Sequence, residues 1–312
     1  MLSTPTLIFM AVFSLLSLAA MLQNGFVVVV LGREWTQSRA LPAVEMIMVC
    51  LTSSRFCLHG IALLNNFLAA LGFCYQANFV GILWDFMNTL LFWLTAWLAT
   101  FYCVKTSIFS HPVLLWLKGR ISQLVPRLIV ASLIMGGISA IISAVGNIIV
   151  FQMTTSQGSH GNCTFGHRTV AFYQYYNQSH MMLMWLTPFV LFLLSIVFLM
   201  CSLYRHMGRM RNLRPGLCDP TTQAHTMALK SLASFLISYT FFVLFLIVSA
   251  TKRITMHSHW HWAREIITYT GIFLHSVILV LSSPKLRKAL KDLCTGRLWA
   301  LKALDKGVSV LK

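Results

Sequence analysis

Apolar residues run through the chain in long stretches, with the polar positions gathered between them. A helix that crosses a hydrocarbon core of about 30 Å needs roughly 20 residues. Stretches of that length lie near 6–31, 43–70, 79–104, 128–151, 181–204, 229–250 and 264–283. The pattern predicts an all-α integral membrane protein, a bundle of seven transmembrane helices. The connections are too short for a soluble domain, the longest being about 25–30 residues. Residues 1–32 carry no charged side chain and no basic leader before the apolar run, so this stretch reads as a retained first span rather than a cleaved signal.

The polar residues inside the spans carry the most information. WDFMNTLLF places Asp85 in an otherwise apolar run at 84–92. A carboxylate at the bilayer centre costs roughly 2.5–3.5 kcal/mol on insertion scales, so Asp85 faces something other than lipid. It lies about six residues, roughly 9 Å, below the end of the third span, in its outer third, where water can reach. Trp84 and Asn88 are four apart and share a helix face, while Asp85 is turned about 100° from Trp84. All three can border a cavity, with Asp85 at its edge; the alternative is that Asp85 accepts hydrogen bonds from a neighbouring helix. Arg55, in LTSSRFCL, is about twelve residues into the second span, too deep for its head to reach the interface. Asn24, in MLQNGF of the first span, offers a side-chain carbonyl at a comparable depth, and Gly25 lets helices approach. The expectation is a structural polar core that fixes how the first, second and seventh spans pack.

Composition agrees with this picture: 57% of residues are hydrophobic, 10% are charged, and mean hydropathy is +0.74. The formal charge of +17 would suggest nucleic acid in a soluble protein. Here the bases sit between apolar runs, which points to loops beside anionic lipid and away from nucleic acid. Nineteen Lys and Arg fall in the first, third and fifth connections and the tail, against four in the opposite connections. That asymmetry predicts an N-terminus outside and a C-terminus inside. Both sequons, Asn162-Cys163-Thr164 and Asn177-Gln178-Ser179, then fall outside; Asn162 is the better acceptor, because Asn177 lies close to the membrane. Cys74 and Cys163 are the cysteines predicted outside, a candidate disulfide whose connectivity spacing does not fix.

At the inner face the third span ends WLATFYCVK with Lys105, the fifth runs out as SLYRHMGRMR with His206, and the sixth enters through QAHTMALKSLASFL with His225. Such a basic, amphipathic surface can dock a partner. After Pro284, KLRKALKDLC places Leu286, Leu290 and Leu293 at helical spacing among Lys and Arg, a stretch suited to lie on membrane lipids. Cys294 would then sit near acyl chains, a candidate palmitoylation site. The expected organisation is a seven-helix domain over 1–284 and a basic amphipathic cytoplasmic tail over 285–312.

These stretches together resemble the type 2 (bitter) taste receptors, a family of seven-helix G protein-coupled receptors. The matching segments are QNGF, LGREW, SRFCL, FYCVK, HPVLLWLK in the second inner connection, AHTMALKSL and HSVILVLSSPKLRKAL, in order from about residue 7 to 292. The chain departs from the family where Thr106 follows Lys105 and where Ser283 replaces the usual Asn before Pro284. The resemblance implies a glycoprotein of the plasma membrane that spans it several times and binds small bitter agonists in an outward-facing pocket. It further implies activation of a gustducin-like heterotrimeric G protein, with phospholipase C and calcium downstream in sensory transduction. Positions matching Trp84, Asn88 and Glu265 are recurrent ligand contacts in the family, and Lys105 stands where many seven-helix receptors have an Arg facing the G protein.

Two other classes fit the sequence less well. A seven-span transporter of small solutes would show internal repeats or a relay of carboxylates near the midplane, and neither is present in the sequence. An enzyme is not expected, nor are a cofactor or a metal. HSHWH, with His257, His259 and His261, has no nearby Cys or carboxylate to complete a zinc set, and no Gly-rich phosphate loop or Ser/His/Asp spacing stands out.

Overall fold

The computed structural model describes residues 4–70, 79–106, 112–156, 167–213 and 259–296, together with Ala233, Leu236, Ile237, Tyr239, Thr240 and Phe241. The helices are α1 (Thr4–Ser38), α2 (Ala43–Ala70), α3 (Phe79–Thr106), α4 (Pro112–Ser156), α5 (His167–Leu213), α6 (His259–Ser282) and α7 (Pro284–Cys294). The six positions between α5 and α6 are also helical and lie in the predicted sixth span. Six helices among the described residues, α1 to α6, are long and apolar enough to cross a membrane.

α3 is the central helix, packed against α2, α4 and α5, while α1 packs on α2 and α6. Its Leu91, Leu94 and Leu98 are almost completely buried and join Leu51 and Leu58 of α2 in the larger core cluster. A second cluster gathers Phe92 and Ala96 of α3, Trp185, Phe192 and Ile196 of α5, and Tyr239. The surface inverts the pattern of a soluble protein: Leu15 and Leu22 of α1 are 69% and 77% exposed. In a membrane span those side chains meet lipid, so exposing them carries no aqueous penalty.

Two predicted boundaries are corrected. The second inner connection was expected to include HPVLLWLK, yet α4 begins at Pro112, well before the predicted span at 128. PVLLWLKGRISQLV keeps helical spacing, burying Ile121 and Val125, while Arg120 lies over the Trp116 ring at 5.2 Å. Likewise α5 starts at His167 rather than near 181. At 45 and 47 residues, α4 and α5 are each roughly 70 Å long at 1.5 Å per residue, so they project well beyond a 30 Å core.

Short local signals set the ends. Arg39 adopts φ 53 after α1, the left-handed turn that stops a helix, and its amide bonds the Trp35 carbonyl at 2.9 Å. Between α6 and α7, Ser283 is extended and its hydroxyl accepts from the Leu286 amide, with Pro284 as the first helical residue. Ser and Asn are both good N-caps, which explains why Ser-Pro serves here where Asn-Pro is usual.

Candidate functional site

Trp84 and Asn88 of α3, Trp185 of α5 and Tyr269 of α6 all lie in the N-terminal halves of their helices, and Trp84 joins the two other aromatic side chains. Trp84 donates from Nε1 to the Tyr269 hydroxyl of α6 at 2.9 Å, and its ring meets Trp185 of α5 edge-on at 5.7 Å. Trp185 also packs on Phe92, which stacks on Tyr239 at 4.6 Å. One turn from Trp84, Asn88 is buried, and its Nδ2 has no hydrogen-bond partner among the described residues. A buried donor without an acceptor costs about 1–3 kcal/mol, a cost relieved by any molecule that supplies one.

The two carboxylates are already engaged. Asp85 is buried and accepts from Ser143 of α4 at 2.5 Å, so its carboxylate is turned towards α4 while Trp84 reaches Tyr269. Glu265, one turn before Tyr269, pairs with Arg264 at 2.6 Å. A ladder of hydroxyls continues below Asp85. Thr89 donates to Ser139, Ser139 bonds Nε2 of His180, and Trp185 Nε1 donates to Thr89 at 3.3 Å. Thus α4 supports the indole that walls the cluster.

Nearer the middle of the bundle, Arg55 is fully buried. It donates from Nη1 to Ser276 at 2.8 Å and bonds Nδ1 of His275 through Nη2. The direct bond expected to Asn24 is not formed; Ser276 stands between, donating to Asn24 Oδ1 at 3.1 Å. The close approach expected at Gly25 is also absent, since a Cβ there would meet Phe56 at an ordinary 3.5 Å. It occurs instead at Gly146 of α4, where a Cβ would lie 2.2 Å from the Tyr176 ring. His59, one turn along α2 from Arg55, is buried, neither ring nitrogen is hydrogen-bonded among the described residues, and the ring packs edge-on against Tyr269 at 5.0 Å.

At the opposite end, Lys105 closes α3 and its ammonium donates to the Lys118 carbonyl of α4 at 3.3 Å. Lys285 of α7 bridges Glu34 of α1 and Glu45 of α2, each at 2.6 Å. Cys74, Asn162, Cys163 and His225 lie outside the described residues, as do the side chains of Asn177 and His206.

A family profile described as Taste receptor protein (TAS2R) matches residues 1–297. The chain belongs to this taste receptor family. Over 289 residues, covering 93% of this chain and 98% of the relative, it is 72% identical to rat (Rattus norvegicus) taste receptor type 2 member 143. The mouse (Mus musculus) member 143 is 67% identical over the same coverage. Rat member 134 is 58% identical over 93% of this chain and 88% of the relative. The chain is therefore a bitter taste receptor, a seven-helix G protein-coupled receptor of the plasma membrane and not an enzyme.

Within this taste receptor, the sequence singled out Trp84, Asp85, Arg55 and Asn24, and the structure brings each into contact with residues that the sequence did not assign to the site. Trp185, Tyr269, Ser143 and Ser276 supply those contacts. For Ser276 a signal existed, the polar pair His275-Ser276 inside the apolar run of α6.

Proposed function

We propose that the receptor takes its bitter agonist among Trp84, Asn88, Trp185 and Tyr269, with this end of the bundle facing outwards. The observation that carries this reading is the buried Asn88 Nδ2, a donor with no acceptor among the described residues, one turn along α3 from the indole that meets Trp185 and Tyr269. An amphipathic molecule with a flat apolar body and one hydrogen-bond acceptor satisfies both features. Glu265 stands at the rim, where a cationic agonist would have to displace Arg264. Asp85, held by Ser143, has a structural role joining α3 to α4.

Agonist binding then drives a gustducin-like G protein, docked near Lys105, His206 and His225, with phospholipase C and calcium downstream. The placement of Lys and Arg supports this inner face, and the same orientation puts Asn162 and the Cys74–Cys163 pair outside, as a glycan acceptor and a loop tether. The amphipathic α7 supports the expected tail on membrane lipids over 285–312 as far as Gly296, beyond which it lies outside the described residues.

The test begins with a calcium-flux screen of bitter compounds in cells that carry the receptor and a gustducin-type G protein. Against the agonists found, Asn88→Leu should raise the half-maximal concentration about tenfold at equal surface level, the effect of losing one buried hydrogen bond. Unchanged potency for every acceptor-bearing agonist would exclude Asn88 from the site.

A further inference from the structure

Between α1, α2 and the start of α6 there is a separate cavity of about 270 Å³. Phe13, Leu63, Leu64 and Phe67 give it apolar walls, and Ser14 and Asn66 are its polar members. Leu64 and Phe67 are 48% and 59% exposed on membrane-spanning α2, so the cavity opens sideways into lipid. None of its lining residues belongs to the agonist cluster on α3, α5 and α6.

Asn66 makes this more than a packing defect. The side chain is only 7% exposed, and its Nδ2 donates to the Ala62 carbonyl at 3.0 Å. Its Oδ1 accepts no hydrogen bond among the described residues, and the half-buried Ser14 hydroxyl makes none there either. Two residues from the end of the α2 span at Leu68, an unpaired acceptor and a hydroxyl facing an apolar cavity form a matched receptor for one donor on an oily body. The volume lies below the roughly 300–1,000 Å³ of sites for drug-sized ligands, which excludes a whole phospholipid and favours a compact molecule.

We propose that this cavity binds a small lipophilic alcohol or phenol that enters from the bilayer and donates its hydroxyl to Asn66 Oδ1. Occupancy reaches the agonist cluster through packed aromatics. Phe13 meets Tyr269 edge-on at 5.2 Å, and Tyr269 accepts from Trp84. The site is therefore placed to modulate agonist response as well as to bind.

The binding test uses the full chain in lipid nanodiscs, a diazirine-bearing octanol as photolabel and mass mapping of adducts, with no agonist present. Its failure therefore leaves the agonist site untouched. Label is expected on residues 10–14 and 63–67, competed away by excess thymol. Asn66→Leu should lower that labelling three- to tenfold, the effect of one lost hydrogen bond. Leu63→Trp, which fills the cavity, should abolish it. Competition on the unmodified receptor decides the matter even if a variant fails to fold. Label spread evenly over lipid-facing residues of α1 and α4 and not competed by thymol would overturn the proposal, as would labelling that survives Asn66→Leu undiminished.

Discussion

Arg55 is held by Ser276 and His275 and joined through Ser276 to Asn24, so three helices share one guanidinium. Removing one member of a buried charged network typically costs about 3–5 kcal/mol. Arg55→Ala should therefore lower surface expression severalfold, read by antibody labelling of intact cells. Arg55→Lys should rescue little, because an ammonium cannot hold two partners in the planar fork of an arginine. Ser276→Ala takes the donor from Asn24 Oδ1 and the acceptor from Arg55 Nη1, but His275 still holds the guanidinium, so the loss should be milder, about 1–3 kcal/mol. The need for a partner was evident from Arg55 itself, since a charge at that depth is conspicuous in an apolar run. The identity of the bridge was not, because a serine hydroxyl leaves no mark on hydropathy. Asp85 shows the same division: its rotation away from Trp84 follows from helix geometry, whereas Ser143 as its donor depends on which helix stands opposite.

At the level of elements, the apolar stretches located all six spans among the described residues, those of α2, α3, α5 and α6 within a few residues at both ends, because crossing the hydrocarbon requires about twenty apolar residues. The extensions of α4 and α5 were not legible, since hydropathy marks the part of a helix in lipid and not the amphipathic turns beyond it. The contact at Gly146 belongs to one such extension. The Tyr176 hydroxyl donates to the Ile142 carbonyl at 2.5 Å, so the ring cannot retreat from a new methyl without breaking that bond. Gly146→Ala should reduce the yield of folded receptor, measured by size-exclusion chromatography, while Gly32→Ala, with open space around it, should not. α7 is tied back by Lys285. Desolvation lowers the pKa of that ammonium, but the hydrogen bonds and charges of Glu34 and Glu45 outweigh it and raise the pKa above the usual 10.5. A raised ammonium pKa contributes stability that is complete below 10.5 and is lost only as pH climbs through the higher folded value. Thermal unfolding of purified Lys285→Met should thus show a modest deficit, about 1 kcal/mol for exposed pairs, that stays level from neutral pH to 10.5 and shrinks above it.

For the whole molecule, signalling requires the end that holds the agonist to influence the end that meets the G protein. On the proposed orientation Lys105 sits at that second end, held to α4 by one long bond to the Lys118 carbonyl among the described residues. Such a weak tether can release when helices shift. Lys105→Ala should therefore lower agonist-evoked calcium per surface receptor while leaving expression unchanged; equal signalling would remove the residue from coupling. The fold class and receptor function were legible because span order and the motifs at span boundaries survive without coordinates. The Asn66 cavity was not, because it exists only where α1, α2 and α6 come together.

The polar core also bears on how the receptor is made. Arg55 and its partner Ser276 are separated by 221 positions, so the ribosome, at roughly 5–20 residues per second, needs about 10–45 s after completing the second span to deliver the serine. Throughout that interval a guanidinium waits in the lipid of the nascent assembly without its permanent partners. Chains interrupted before α6 should consequently be recognised as unfinished and degraded, so that the last span acts as a maturation checkpoint.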